Sequence, residues 1–388
     1  MNILYILKHD PWGIGGGCYA SRCFLDAFTT AFEDAHFDVC LCAEYLPKKD
    51  MREDYPNVKF VKVSERSFTS KIFSVVTGLL HRFDRTAREI LKSGKYDYCI
   101  FDHNSIAGPL VGICRELGVK TVVINHNCEQ EYYHDNHRNW VHRFFLLPHV
   151  KRAEQNSYIG CDYNIFLTSE DKTLFGNLYG KSQTRAMVIG CFEPKGSIAR
   201  NYLKKIKSDS LLKLVISGTI GNVQNLDGIN YFIDNLIETV PADIEVVITG
   251  KNPPMELQNK IEEINDVKKY AKITLIPNPK DIMPIVADCD IFLCPTRLGG
   301  GIKLRIMDGL KAGLPVIAHR VSARGYSAFA EKGLLFAFDD KNSFKVALDN
   351  CIVSLRADSN LRQDISSMAQ QQFSFERNVE LLKQNINM

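Results

Sequence analysis

The chain lacks the marks of several large protein classes. Its 12 cysteines contain no C-x-x-C pair, Cys40 and Cys42 being the closest in sequence. No ligand spacing fits a zinc site. Several cysteines, such as Cys99, Cys289 and Cys294, sit inside apolar runs and read as free thiols serving as small core residues in a reducing compartment. No stretch reaches the roughly 18 apolar residues of a spanning helix. The apolar part of the opening MNILYILKHD is too short for a secretion signal and runs at once into a glycine loop, so it reads as a first strand and the expected setting is cytoplasmic. Excess charge is scarce too: the formal net charge is +3 over 388 residues, which excludes a general nucleic-acid binder unless the cations cluster. Gly13-Ile14-Gly15-Gly16-Gly17 does not match G-x-G-x-x-G, and no acidic residue follows near the end of a second strand, so a dinucleotide fingerprint is weak. No Ser/His/Asp order or paired carboxylate set stands out for hydrolysis.

What is present is a globular composition, 45% apolar and 24% charged, at a length that suits two domains. Apolar, β-branched runs alternate with helical stretches. In the first half they are Ile3–Leu7, Phe60–Val63, Cys99–Asp102, Thr121–Asn125 and Asn164–Thr168. In the second they are Lys213–Ser217, Glu245–Thr249, Ile273–Pro277, Ile291–Cys294, Pro315–Ala318 and Leu334–Phe338. Short continuous apolar runs are typical of parallel strands buried on both faces, and the alternation predicts an α/β protein with a doubly wound sheet in each half. The stretch Gly190–Ser210, with Pro194, Gly196 and a polar run, interrupts the pattern. It divides a domain at 1–195 from one at 205–370, and 371–388 reads as a final helix that crosses back to the first domain.

Ligands of doubly wound sheets bind beyond the carboxyl ends of the strands, and two such domains facing each other make a cleft. Candidate residues lie at those ends: the glycine loop 13–17, Asp102-His103-Asn104, His126-Asn127-Cys128-Glu129, Gly218-Thr219, Gly250-Lys251, and the loop beginning at Asn278. The richest stretch is Cys294–His319, where a strand ends, Gly299-Gly300-Gly301 follow, and a helical pattern carries Lys303, Arg305 and Asp308. Gly313 and Pro315 stop that helix. A helix start after glycines is an anion site, because unpaired N–H groups and the helix dipole both point at the loop. Cations there are unfavourable unless an anion neutralises them, so Lys303 and Arg305 point to phosphate, and the stretch to a sugar phosphate or nucleotide. Asp308 either grips ligand hydroxyls or pairs with Arg305. His126, beside other polar residues at a strand end, is expected in a cleft.

From Lys71 to Lys92, apolar residues including Ile72, Val76, Leu79, Leu80, Ile90 and Leu91 fall on one helical face and Arg82, Arg85, Arg88 and Lys92 on the other. This reads first as a surface helix packed on the sheet. A basic amphipathic helix can also rest on anionic lipid, and Arg138–Arg152, with Trp140 and Phe144, adds to that alternative.

Together these residues resemble the retaining glycosyltransferases of family 4, which have the GT-B fold of two Rossmann-like domains facing across a cleft. The resemblance runs over nearly the whole chain: the opening strand and glycine loop, Ser217-Gly218-Thr219 with Asn225-Leu226-Asp227-Gly228, Val247–Lys251, the run from Asp281 to Phe292, and above all Cys294–His319. It implies a nucleotide-sugar donor, a UDP- or GDP-sugar, bound mainly by the second domain. Gly218, Asn225, Lys251 and Asn278 would line it. Lys303 and Arg305 would meet the diphosphate, the backbone of Gly301 and Ile302 the sugar or phosphate, and Asp308 the ribose hydroxyls. Gly16 and Gly17 would close on the donor from the other side, and His126 would face the sugar near the reacting carbon. The implied catalytic set is His126, Lys303 and Arg305. No Asp-x-Asp motif stands in a matching place, so neither a metal nor a cofactor is expected. The implied acceptor is a glycan or lipid-linked molecule in surface polysaccharide or glycoconjugate assembly. Two departures matter. Many members carry a pair of glutamates here; Gly300 stands at the first position and the shorter Asp308 at the second. Other readings of the same fold are a nucleotide-sugar epimerase and a non-catalytic glycosyltransferase-like partner protein.

Overall fold

The structure, a computed structural model, describes residues 1–42, 46–47, 53–63, 84–136, 144, 146–197, 202–203 and 211–388. The chain divides into two compact units: Met1–Ser197 with Gly300–Ile302 and Phe373–Met388, and Ile198–Gly299 with Lys303–Gln372.

The first unit is built on a parallel sheet of β1 (Asn2–Leu7), β2 (His36–Cys42), β3 (Val58–Val63), β4 (Tyr98–Asp102), β5 (Lys120–Asn125), β6 (Tyr163–Phe166) and β7 (Arg185–Val188). Their order is β3-β2-β1-β4-β5-β6-β7. Ile3, Leu4, Tyr5 and Ile6 are wholly buried, as a central parallel strand covered on both faces requires. Helix Phe375–Asn385, capped by Ser374, packs on helix Gly16–Ala31, with Phe375 and Phe192 rings 6.4 Å apart.

The second unit holds β8 (Leu212–Thr219), β9 (Ile244–Lys251), β10 (Ile273–Pro277), β11 (Ile291–Cys294), β12 (Val316–His319) and β13 (Leu335–Phe338) in the order β10-β9-β8-β11-β12-β13. Both sheets are doubly wound in the Rossmann manner, as the apolar runs predict. In each, strand order reverses beside the first strand of the unit, β1 against β4 and β8 against β11.

Sequence reading missed β2 and β7. In β2 (HFDVCLC) Asp38 interrupts the apolar run. In β7, an edge strand, no residue is fully buried, so it carries no apolar run to find. Of the basic amphipathic stretch, 71–83 lies outside the described residues. Its remainder lies in helix Asp84–Ser93, where Ala87 and Leu91 are buried in the sheet's core and Ile90 packs against it. That matches a helix packed on the sheet. Of the second basic stretch, 138–143 and 145 lie outside the described residues, as do 198–201 and 204–210 of the expected linker. Among the described residues no helix is long and apolar enough to cross a membrane. The cysteines whose side chains are described are free thiols, buried except for half-buried Cys18.

Candidate functional site

The two reversal points carry the chemistry-bearing residues of their units. In the first, Leu7 pairs with Asp102 across β1 and β4, so Lys8 and His9 leave one strand beside Asp102 and His103 leaving the other. Asn125 ends β5 and delivers His126 to the same place. His126 Nε2 lies 2.6 Å from Asp102 Oδ1, and Ser21 Oγ donates to Asp102 Oδ2. Asp102 is fully buried. Burial alone would raise its carboxyl, but the attraction and hydrogen bond of His126, with the bond from Ser21, hold it below the usual carboxylate range. A carboxylate accepts only, so Nε2 carries the proton and Nδ1 is left as the acceptor of the His126 ring. Nδ1 has no hydrogen-bond partner among the described residues.

A second buried pair lies alongside. His103 Nε2 is 2.8 Å from Glu129 Oε1, and Lys8 Nζ is 3.4 Å from the same oxygen. Burial works against the Glu129 charge, yet Lys8 and then His103 hold its carboxyl far below its ordinary value. Burial, then the Lys8 charge, lowers the His103 imidazole, so a neutral ring donates to Glu129. Burial and the neighbouring His103 and Lys8 take His9 down to about 3. The His103 and His126 rings stack with centroids 5.3 Å apart and planes 14° from parallel. His103 has φ 140°, a conformation that a non-glycine residue reaches at a cost of roughly 1–3 kcal/mol. Gly17 gives room for this arrangement: a Cβ there would come within 3.0 Å of the His9 ring. Gly16 starts helix Gly16–Ala31. Among the described residues, no three His, Cys, Asp or Glu side chains are grouped to hold a metal ion.

The second unit builds its site differently. Beyond β11 the chain passes Thr296 and Arg297 into the triple glycine. Gly299 (φ 80°) packs so closely that a Cβ would lie 2.2 Å from the Gln224 amide. Lys303 is buried and its Nζ donates to the Gly299 carbonyl at 2.8 Å. Arg305 Nη1 donates to Thr296 Oγ1 at 3.2 Å. Arg297 makes a two-pronged ion pair with Asp227, at 2.9 and 3.2 Å, and lies over the Tyr231 ring. The helix runs from Arg305 to Lys311 with Leu304 as its cap, so Arg305 opens it while Lys303 precedes it, outside the first turn where the sequence pattern put it. Asp308 lies 3.9 Å from Lys311, one turn on, and not in the ion pair with Arg305 that sequence spacing allows.

Gly218, at the end of β8 with φ 140°, lies against both Asn225 and Arg305: a Cβ there would sit 3.4 Å from Asn225 Nδ2 and 3.6 Å from Arg305 Nη1. Asn225 Nδ2 donates to the Thr219 carbonyl, and its buried Oδ1 has no partner among the described residues. Gly218, Asn225 and Arg305 are thus brought together. Lys251 and Asn278 stand further along the sheet, at the ends of β9 and β10. There Asn278 Oδ1 accepts the Asn252 N–H at 2.8 Å. Gly300, Gly301 and Ile302 follow Gly299 in the loop ahead of Lys303. Lys8, His9 and Ser21 were missed by sequence reading. The signal was present for two of them: Lys8-His9-Asp10 is a run of ionisable residues at the carboxyl end of an apolar strand, the rule that selected His126.

Residues 213–353, which apart from Gly300–Ile302 lie in the second unit, match the family described as Glycosyl transferases group 1. No curated protein sequence matches the chain. Solved structures that it resembles include the sucrose-phosphate synthase of Thermosynechococcus elongatus, with TM-score 0.69, 13% identity, and 99% of this chain and 97% of that one covered. Anabaena HepE in complex with UDP follows, with TM-score 0.64, 14% identity and 99% of each chain covered. A glycosyltransferase from Rickettsia africae gives TM-score 0.63, 13% identity, and 99% and 98% coverage. At these identities the likeness shows the fold, and the fold is GT-B.

Proposed function

We propose that the protein is a metal-independent, retaining glycosyltransferase of family 4, moving a sugar from a UDP- or GDP-sugar to a glycan or lipid-linked acceptor in surface polysaccharide or glycoconjugate assembly. The observation that carries this reading is the pair of cations, Lys303 and Arg305, after the triple glycine at the β8–β11 reversal, inside the stretch that matches glycosyl transferases group 1. The bond from the anomeric carbon to the diphosphate breaks, and negative charge grows on the leaving oxygen. Lys303, Arg305 and the N–H groups at the start of the following helix stabilise that charge more than the ground state's, which is what lowers the barrier. Asp308 holds the ribose hydroxyls. Gly218, Asn225, Lys251, Asn278 and the backbone of Gly300, Gly301 and Ile302 bind the rest of the donor. Gly16, Gly17 and His126 are the first unit's contribution, with His126 Nδ1 accepting from a sugar hydroxyl. HepE crystallised with UDP-glucose supports a uridine donor by analogy of fold. The working site is cytoplasmic, with contact at an anionic membrane surface.

A panel of UDP-, GDP- and ADP-sugars tests this, with released nucleoside diphosphate and transferred sugar read by mass spectrometry. Turnover of one donor that survives chelation of divalent metals and is lost in Lys303→Ala supports the reading. Intact turnover in both Lys303→Ala and Asp308→Ala contradicts the site. A second reading has one observation in its favour: Gly300 replaces a carboxylate of the family pattern, which suits a non-catalytic partner protein. That reading predicts binding of a nucleotide sugar, or none, without turnover.

A further inference from the structure

We infer that Glu129 is a positioning residue for His126 and acts through His103. The inference rests on the reading of His126 as the sugar-facing group of the first unit. The His126 ring packs edge-on or tilted against His9 and Phe24, at 6.4 and 6.5 Å, and two closer contacts set its orientation. Asp102, at 2.6 Å from Nε2, selects the tautomer and the in-plane rotation. The His103 ring, 5.3 Å away and within 14° of parallel, sets the plane. His103 is itself held by Glu129 at 2.8 Å from its Nε2, with Ser105 Oγ at 3.3 Å and Lys8 Nζ at 3.5 Å from its Nδ1. Its φ of 140° is a conformation that persists in a non-glycine residue only where the surroundings over-determine it. Glu129 is 2% exposed and His103 3%, so neither is open to a sugar, and a buried carboxylate with no ligand to touch needs another role. Lys8, ion-paired with Glu129, keeps that carboxylate charged, and the chain of contacts runs Lys8, Glu129, His103, His126. A misplacement of about 1 Å in a group that orients substrate costs up to roughly a hundred-fold in rate.

The experiment has two arms, both on the full chain. In the first, histidine ring nitrogens are labelled and followed by NMR in the wild type, Glu129→Gln, His103→Asn and the double variant. His126 resonances are expected to shift in each single variant, and the double variant to match His103→Asn. In the second arm, kcat and KM are measured for whichever donor of the nucleotide-sugar panel the wild type turns over. Glu129→Gln is expected to lower kcat about ten-fold to a hundred-fold with KM unchanged. In the His103→Asn background the same change should cost nothing more. Lys8→Met stands in if Glu129→Gln does not fold. Unshifted His126 resonances in Glu129→Gln, or losses in kcat that multiply in the double variant, overturn the inference. If the wild type turns over no donor, the proposed function fails while the NMR arm still decides whether Glu129 positions His126.

Discussion

The same topological point is used twice in this chain and is furnished in opposite ways. At the β1–β4 reversal, buried Asp102 is paired with His126 and buried Glu129 with Lys8 and His103, so the charges of the site are answered by its own side chains. At the β8–β11 reversal, glycine backbone makes the room, and Arg305 is bonded to a neutral hydroxyl, so its charge is not cancelled by that bond. The difference teaches what each site is for. An assembly of mutually paired charges fixes geometry. A cation held by a neutral oxygen keeps its field for an incoming anion.

The largest effect expected of this contrast is in the second unit. Arg305→Ala or Lys303→Ala should lower kcat/KM for the donor by about 10²–10³, the scale of losing one preorganised electrostatic contact, with little change in thermal midpoint for Arg305→Ala. If both losses stay below about three-fold, the contrast is broken. Asp102→Asn comes next and should hurt in both currencies. Nε2 of His126 loses its charged acceptor, turnover falls about a hundred-fold, and denaturant unfolding shows a loss on the order of 3 kcal/mol, because one partner of a buried pair is left uncompensated. A large kinetic loss without a stability loss would make Asp102 a second-unit type of residue.

Acid titration sharpens the comparison further. The folded state holds His9 neutral down to about 3, whereas the unfolded chain protonates it near its ordinary 6.5. Between those values the unfolded state binds the extra proton, so this contribution to stability is complete above 6.5 and declines as pH falls toward 3. The midpoint of His9→Gln should therefore fall less than that of the wild type between pH 6.5 and 4.5. Equal slopes would mean that His9 is not buried as described. The opposite sign of pH dependence belongs to Glu154, whose carboxyl is pushed up to about 8 by burial while its Oε2 accepts the Gln130 N–H at 3.0 Å. The folded state keeps that proton while the unfolded chain loses it from about 4.5, so stability is highest below 4.5 and falls as pH rises through 8. Glu154→Gln should match the wild type at pH 4 and exceed it at pH 8; a variant less stable at pH 8 would refute the assignment.

Legibility in the sequence follows the same division. Strands buried on both faces announce themselves as apolar runs, which is why β1, β4, β8 and β11 are readable, while half-exposed β7 is not. The second-unit site is local: Gly299 to Asp308 lie within one loop and helix, so spacing alone exposes them. The first-unit site is assembled from β1, helix Gly16–Ala31, β4, the end of β5 and the start of helix Glu129–Asn136. Its strand-end members Asp102, His126 and Glu129 are visible as candidates. Their pairing with Ser21, Lys8 and His103 depends on which strands lie side by side, and no local spacing encodes that.

The central claim is that Lys303 and Arg305 hold the diphosphate of an activated sugar. Calorimetric titration of UDP and GDP into the wild type and into a Lys303→Ala/Arg305→Ala variant of the full chain tests it most directly. The account predicts that one nucleotide binds the wild type and that the double variant loses at least a hundred-fold in affinity, with a steep dependence on salt in the wild type alone. Equal affinity in both proteins, or no binding of either nucleotide to the wild type, would contradict it.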